Sequence, residues 1–249
     1  MGIRETNMDE VRRIAKTFLM IDYVKTPFSP LVVIHPFTNS GVVPVREGDG
    51  IRLVDITKDK NDFKEWQKDV TEAIENETNP HVIQMMMNKS YGLVFLHYAK
   101  NYLSDKDYSE MLCSAWISAE NPNSDINVSK SELKQMFSYA DPEYLMDDEE
   151  REQLDQLDSP VTVYRGVTSH NADNIRALSW TLNYDTAEWF SKRFGEDGTV
   201  YEAQIPKEHI YALFNGRNES EIILNPNYLT EIQEAGEGVS DSLTIGGLS

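Results

Sequence analysis

The sequence predicts an α+β chain, with helices gathered in its first two thirds and strands in its last third. Two patterns carry that reading. Apolar residues recur at three- and four-residue steps through most of the stretch from Asn61 to Leu157, as one face of a helix requires. From Ser159-Pro160 onward the texture changes to short β-branched and aromatic runs separated by Gly, Pro and Asn. A block of helices followed by a block of strands defines α+β, not the alternation of a parallel α/β sheet.

The first helix is expected over Asp9 to Met20, where Val11, Ile14, Phe18 and Ile21 share a face. Pro27, Pro30, Pro36 and Pro44 then forbid helix, and Leu31-Val32-Val33-Ile34 and Ile51-Arg52-Leu53-Val54 read as short strands. Residues 1–60 are therefore expected to form a helix and an irregular β arm. Asp62 to Glu75 is amphipathic, Val82 to Tyr102 reads as one long apolar helix, and Asp107 to Ala119 as another. The consecutive Met85, Met86 and Met87 are read as core filler. Ser129 with Glu132 three residues on is a capping box. Asp147 to Leu157 is an acidic helix. Strands are expected at Val161–Tyr164, Thr199–Gln204, Ile210–Phe214, Glu221–Leu224 and Leu229–Ile232, with one helix from Thr186 to Phe194 capped by Asp185. Residues 236–249, rich in Gly and Ser, read as a mobile tail.

Composition narrows the function. With 23 basic and 42 acidic residues among 249, the net charge is −19. Such a chain repels phosphate backbones and anionic lipid, and its longest basic cluster is Arg12-Arg13, so neither nucleic acid nor membrane is an expected partner. The apolar run Tyr91 to Ala99 falls short of the roughly 20 residues a membrane helix needs. A lone Cys113 and no secretory leader point to a cytoplasmic setting. The five histidines never fall at metal-ligand spacing, so no metal is expected. Neither a G-x-S-x-G elbow nor a phosphate-binding glycine loop is present.

Chemistry concentrates in the last ninety residues. In Val161-Thr162-Val163-Tyr164-Arg165-Gly166, alternation places Arg165 in the inward row of Val161 and Val163. A guanidinium there needs an anion, either an internal carboxylate or a bound carboxylate or phosphate. In Ser179-Trp180-Thr181, two hydroxyls face the same way and can orient a ligand or a carboxylate. In Asn215-Gly216-Arg217-Asn218-Glu219-Ser220-Glu221, a turn delivers two carboxylates at i and i+2 to the start of an apolar strand.

An arginine on a first strand, a Ser-x-Thr on a second and a Glu-x-Glu opening a later one, in that order, resemble the mono-ADP-ribosyltransferases of the Arg–Ser–Glu class. The surrounding strings Val163-Tyr164-Arg165-Gly166-Val167, Thr186-Ala187-Glu188-Trp189-Phe190 and Val200-Tyr201-Glu202-Ala203 are similar to phage-borne, toxin-like effectors of that superfamily. The likeness covers roughly residues 160–226. It implies a split β-sandwich of the ADP-ribosyltransferase type preceded by helices. Residues 61–235 would be that domain, with a helical part at 61–158 and a catalytic part at 159–235. The link of 179 − 165 = 14 positions is shorter than in many toxins, and Trp180 replaces the small middle residue of the usual motif.

The resemblance also implies an activity. NAD+, as co-substrate and without a metal, would be cleaved at its nicotinamide–ribose bond through a transition state like that of glycoside hydrolysis. ADP-ribose would pass to a host or target protein. By match, Glu221 would stabilise the developing positive charge and grip the ribose, while Ser179 would position Glu221 or the ribose, with Thr181 in support. Arg165 meets the pyrophosphate, the Gly166 backbone holds the carboxamide, and Tyr184, Phe190 or Phe194 covers the nicotinamide. Glu219 would activate the acceptor, an arginine by the family's pattern. The alternatives are an NAD+ glycohydrolase without transfer, or a silent acidic inhibitor whose Asp141, Glu143 and Asp147–Glu150 imitate DNA.

Overall fold

The computed structural model describes residues 4–195, 197–216 and 219–236, with the side chain of Phe194 outside that description. Apart from Gly236, the expected tail lies outside it too. The chain divides into two compact units, Met1–Asp147 and Asp148–Ser249. The architecture is mixed, helices first and the large sheet last. No described helix is long and apolar enough to cross a membrane.

The first unit opens with α1 (Met8–Leu19), whose cap Asn7 accepts from the Glu10 N–H. Strands β1 (Val24–Lys25), β2 (Val32–His35) and β3 (Thr38–Ser40) form one antiparallel sheet, and β4 (Val42–Glu47) with β5 (Gly50–Asp55) a hairpin. Six helices follow: α2 (Lys60–Asn76), α3 (Pro80–Met85), α4 (Gly92–Ala99), α5 (Asp105–Ser118), α6 (Lys130–Tyr139) and α7 (Pro142–Leu145). Residues 1–60 do not stand apart as an arm. Val33, Val43, Val45 and Ile56 are buried in this unit's core, and α1 packs on α2 and α4. Trp116 and Phe137 meet edge-on at its centre, 5.0 Å apart.

The expected long helix over 82–102 is instead α3 and α4 with a break between. Asn88 causes it: its N–H donates to the Pro36 carbonyl at 2.8 Å and its side chain to the His35 carbonyl at 2.6 Å. Those bonds tie the chain to the end of β2 and draw it off the helical path. Met87 is buried as expected, whereas Met85 is 78% exposed. The capping box at Ser129 and Glu132 forms in both directions.

The second unit holds α8 (Asp148–Gln156), β6 (Val161–Val167), β7 (Ser179–Thr181), α9 (Tyr184–Ser191), β8 (Thr199–Ile205), β9 (Ile210–Phe214), β10 (Glu221–Leu224) and β11 (Thr230–Glu234). The strands form one antiparallel sheet in the order β11-β8-β6-β7-β10-β9. Its cohesion is uneven. β6 and β8 pair along their whole length, from Val161↔Ile205 to Val167↔Thr199, whereas β6 meets β7 at the single pair Tyr164↔Thr181. Helix α9 starts two residues earlier than its sequence suggests. Asn183, not Asp185, is the cap and accepts from the Thr186 N–H at 3.1 Å.

Candidate active site

The site grows from the weak join in the sheet. One row of side chains crosses five strands through directly paired residues: Glu202, Tyr164, Thr181, Glu221 and Phe214. Arg165 follows Tyr164 and leaves from the opposite face of β6, the face of the buried Val161 and Val163. Beyond the Tyr164↔Thr181 pair the ladder between β6 and β7 stops. There Arg165 Nη1 donates to the Ser179 carbonyl oxygen at 2.5 Å, so a guanidinium stands where the next rung would be.

Ser179 serves two neighbours. Its carbonyl takes the arginine, and its hydroxyl donates to Glu221 Oε1 at 2.5 Å. The register explains the second contact: Ser179 pairs with Ile223, which places Glu221 diagonally across the same face. Glu221 is 6% exposed, so this bond holds a nearly buried carboxylate. Arg165 feels its charge. Burial lowers the guanidinium pKa to about 10 and the Glu221 charge opposes that shift, leaving Arg165 protonated at neutral pH. Its Nε is shut off from solvent and has no hydrogen-bond partner.

Thr181 lies on the same face, but its hydroxyl serves the main chain. It donates to the Glu219 carbonyl at 2.6 Å and accepts from the Asn183 N–H at 3.1 Å, closing the turns at the ends of β7 and β10. Trp180 points the other way into the core and donates to the Ala177 carbonyl at 3.1 Å. Glu219 does not follow Glu221 in simple alternation. Ser220 between them has φ +42°, in the left-handed region, so the chain turns before the strand begins. The preceding Arg217 and Asn218 lie outside the described residues.

Gly166 packs against α9. A Cβ there would lie 2.1 Å from the Ala187 carbonyl oxygen and 2.5 Å from the Ser191 nitrogen, so only glycine fits beside that helix. The aromatic candidates separate as well: Tyr184 meets Tyr164 edge-on at 5.7 Å, while Phe190 meets Trp189 at 5.0 Å. Arg193 lies over both of the latter rings, 5.0 and 5.1 Å from their centroids.

Three features had little or no sequence signal. Tyr164 and Glu202 join the row only because β6 and β8 are paired in this register. Burial raises the Tyr164 pKa, and the neighbouring Glu202 charge raises it further. Glu150 belongs to the acidic run Asp147–Glu150, yet it is 7% exposed and accepts from the Asn215 N–H at 2.7 Å. It fixes the start of the loop that leads to Glu219 and Glu221.

Arg165 Nε keeps an unpartnered N–H, and Glu221 holds its carboxylate against the Ser179 hydroxyl. No family model, curated protein or solved structure matches this chain.

Proposed function

We propose that this chain is a mono-ADP-ribosyltransferase of the Arg–Ser–Glu class. It cleaves NAD+ between nicotinamide and ribose and transfers ADP-ribose to a protein side chain, an arginine by the pattern at Glu219. The observation that carries the reading is the convergence of Arg165, Ser179 and Glu221 from three strands through two hydrogen bonds of 2.5 Å. The single-pair join between β6 and β7 supports a split sandwich of the ADP-ribosyltransferase type.

The dinucleotide supplies a leaving group that departs with the bonding pair and leaves positive charge on the ribose carbon. Glu221 stabilises that charge because its carboxylate is nearly buried and already oriented, so no solvent must reorganise as charge develops. Ser179 orients Glu221. Arg165 spans the opening between β6 and β7, and its guanidinium would meet the pyrophosphate. Thr181 shapes the turn that sets Glu219 beside the strand, where its carboxylate takes a proton from the acceptor.

The test is incubation with labelled NAD+ and a protein lysate, followed by mass spectrometry of the modified residues. Glu221→Gln should lower NAD+ cleavage by several orders of magnitude with the circular dichroism spectrum unchanged. Undiminished cleavage in that variant overturns the assignment. Glu219→Gln should spare cleavage and depress transfer to protein. Free ADP-ribose without labelled protein in the wild type would instead identify a glycohydrolase.

A further inference from the structure

We propose that His81, Asp107 and Glu110 in the first unit bind a divalent transition-metal cation of the zinc class. His81 comes from the first turn of α3 and the two carboxylates stand one turn apart on α5. His81 Nε2 lies 3.5 Å from Asp107 Oδ1 and 3.3 Å from Glu110 Oε2, and one ligand atom from each residue falls within 4.8 Å of the others.

Those separations match a shared ion better than a hydrogen bond. Two ligands about 2.0–2.1 Å from a tetrahedral zinc are held about 3.3–3.4 Å apart. In an octahedral magnesium shell of similar radius the neighbouring ligands stand closer, at about 2.9 Å, and magnesium prefers oxygen to imidazole. Orientation agrees. Nε2 is shielded from solvent and makes no acceptable hydrogen bond, although both oxygens are within ion-pair distance. At 3.3 Å Glu110 Oε2 would be hydrogen-bonded if it lay along the N–H, so it sits to the side of that axis. A metal on that axis has its other ligands displaced to the side by about 35° for tetrahedral geometry, as seen from the nitrogen.

The outer contacts already divide each carboxylate. Asp107 Oδ2 accepts from the hydroxyls of Thr6 and Ser104, the latter at 2.9 Å, while Oδ1 faces the imidazole. Glu110 Oε1 is turned to Lys106 at 3.8 Å, while Oε2 faces the imidazole. Such partners fix ligand orientation around a metal. Gln84, one turn beyond His81, donates to the Met111 carbonyl at 3.3 Å and pins α3 to α5. An ion would staple α3 and α5 and, through Asp107 and Thr6, the segment before α1. The sequence concealed the triad because 107 − 81 = 26 positions separate the histidine from the nearer carboxylate.

The experiment uses the untagged full chain, stripped of metal by chelator and titrated with Zn2+ by calorimetry. Co2+ serves as a spectroscopic probe and Mg2+ as competitor. The expected result is one Zn2+ per chain, a visible absorption band with Co2+, and no displacement by Mg2+. His81→Ala should lose the cobalt band and weaken zinc binding by at least roughly tenfold. Glu110→Gln, at a partly exposed position, keeps the test valid if the histidine variant unfolds, and should weaken binding by a similar factor. No zinc uptake by the wild type would overturn the proposal. Equal uptake by wild type and Glu110→Gln would overturn it also.

Discussion

An alanine at position 166 would put its Cβ 2.1 Å from the Ala187 carbonyl oxygen, 2.5 Å from the Ser191 nitrogen and 2.9 Å from Phe190 Cβ. Ordinary contact begins near 3.4 Å, so α9 would have to withdraw by 3.4 − 2.1 = 1.3 Å. Two of those neighbours are main-chain atoms, which no rotamer change can move. The Gly166 φ is outside the left-handed region, so alanine suffers no backbone penalty and the effect is purely steric. Overpacking of this kind costs about 1–3 kcal/mol, and the rigid neighbours place Gly166→Ala towards the upper end. The reduced freedom of the unfolded chain returns about 0.4–1 kcal/mol, leaving a net loss of about 2 kcal/mol. For a unit of this size each kcal/mol moves the midpoint by roughly 4–8 °C, so its melting should fall by roughly 8–16 °C. Thermal and urea unfolding of the full chain measure this directly. A loss below about 0.5 kcal/mol would refute the tight fit of α9. Unchanged stability with weakened NAD+ binding would support the ligand-contact role suggested by the sequence.

Other outcomes follow from single contacts. Ser179→Ala removes the hydroxyl donor to Glu221 Oε1 and should cost about 1–3 kcal/mol together with most of the NAD+ cleavage, whereas Ser179→Thr should retain part of both. Urea midpoints and initial rates check this, and an alanine variant as stable and active as wild type would contradict it. His35 is fully buried, and its Nδ1 accepts from the Phe37 N–H at 3.0 Å, which leaves the proton on Nε2, close to the Leu19 carbonyl. Burial lowers its pKa below 6.5, so between that depressed value and 6.5 the unfolded chain binds more protons than the native one. The stabilising contribution is thus complete above pH 6.5 and lost as pH falls through the folded value. His35→Asn should flatten the acid limb of a stability-against-pH curve, and superimposable limbs would refute the assignment.

What the sequence disclosed was mostly local. The Ser129–Glu132 box and the boundaries of β9 and β10 depend on neighbours a few residues apart, and they were legible there. The interruption after Met85 was not, because the Asn88 bonds that cause it reach back more than fifty positions to Pro36 and His35. The inward row of Val161, Val163 and Arg165 followed from strand alternation alone. Alternation cannot be carried from Glu221 back to Glu219, because the positive φ of Ser220 breaks the extended geometry on which it depends. Gly166 was legible as a special position, but its packing was not, since nothing in the string indicates that α9 crosses it. Likewise, the acidic run hid Glu150, whose burial arises from a contact with Asn215 some 215 − 150 = 65 residues away.

Position 179 is held by two kinds of grip. Arg165 takes an oxygen that belongs to every amino acid, whereas Glu221 takes one that, at this side-chain length, serine and threonine provide. Exchanging serine for alanine there would therefore keep the first contact, and with it the tie between the strands, while removing the second.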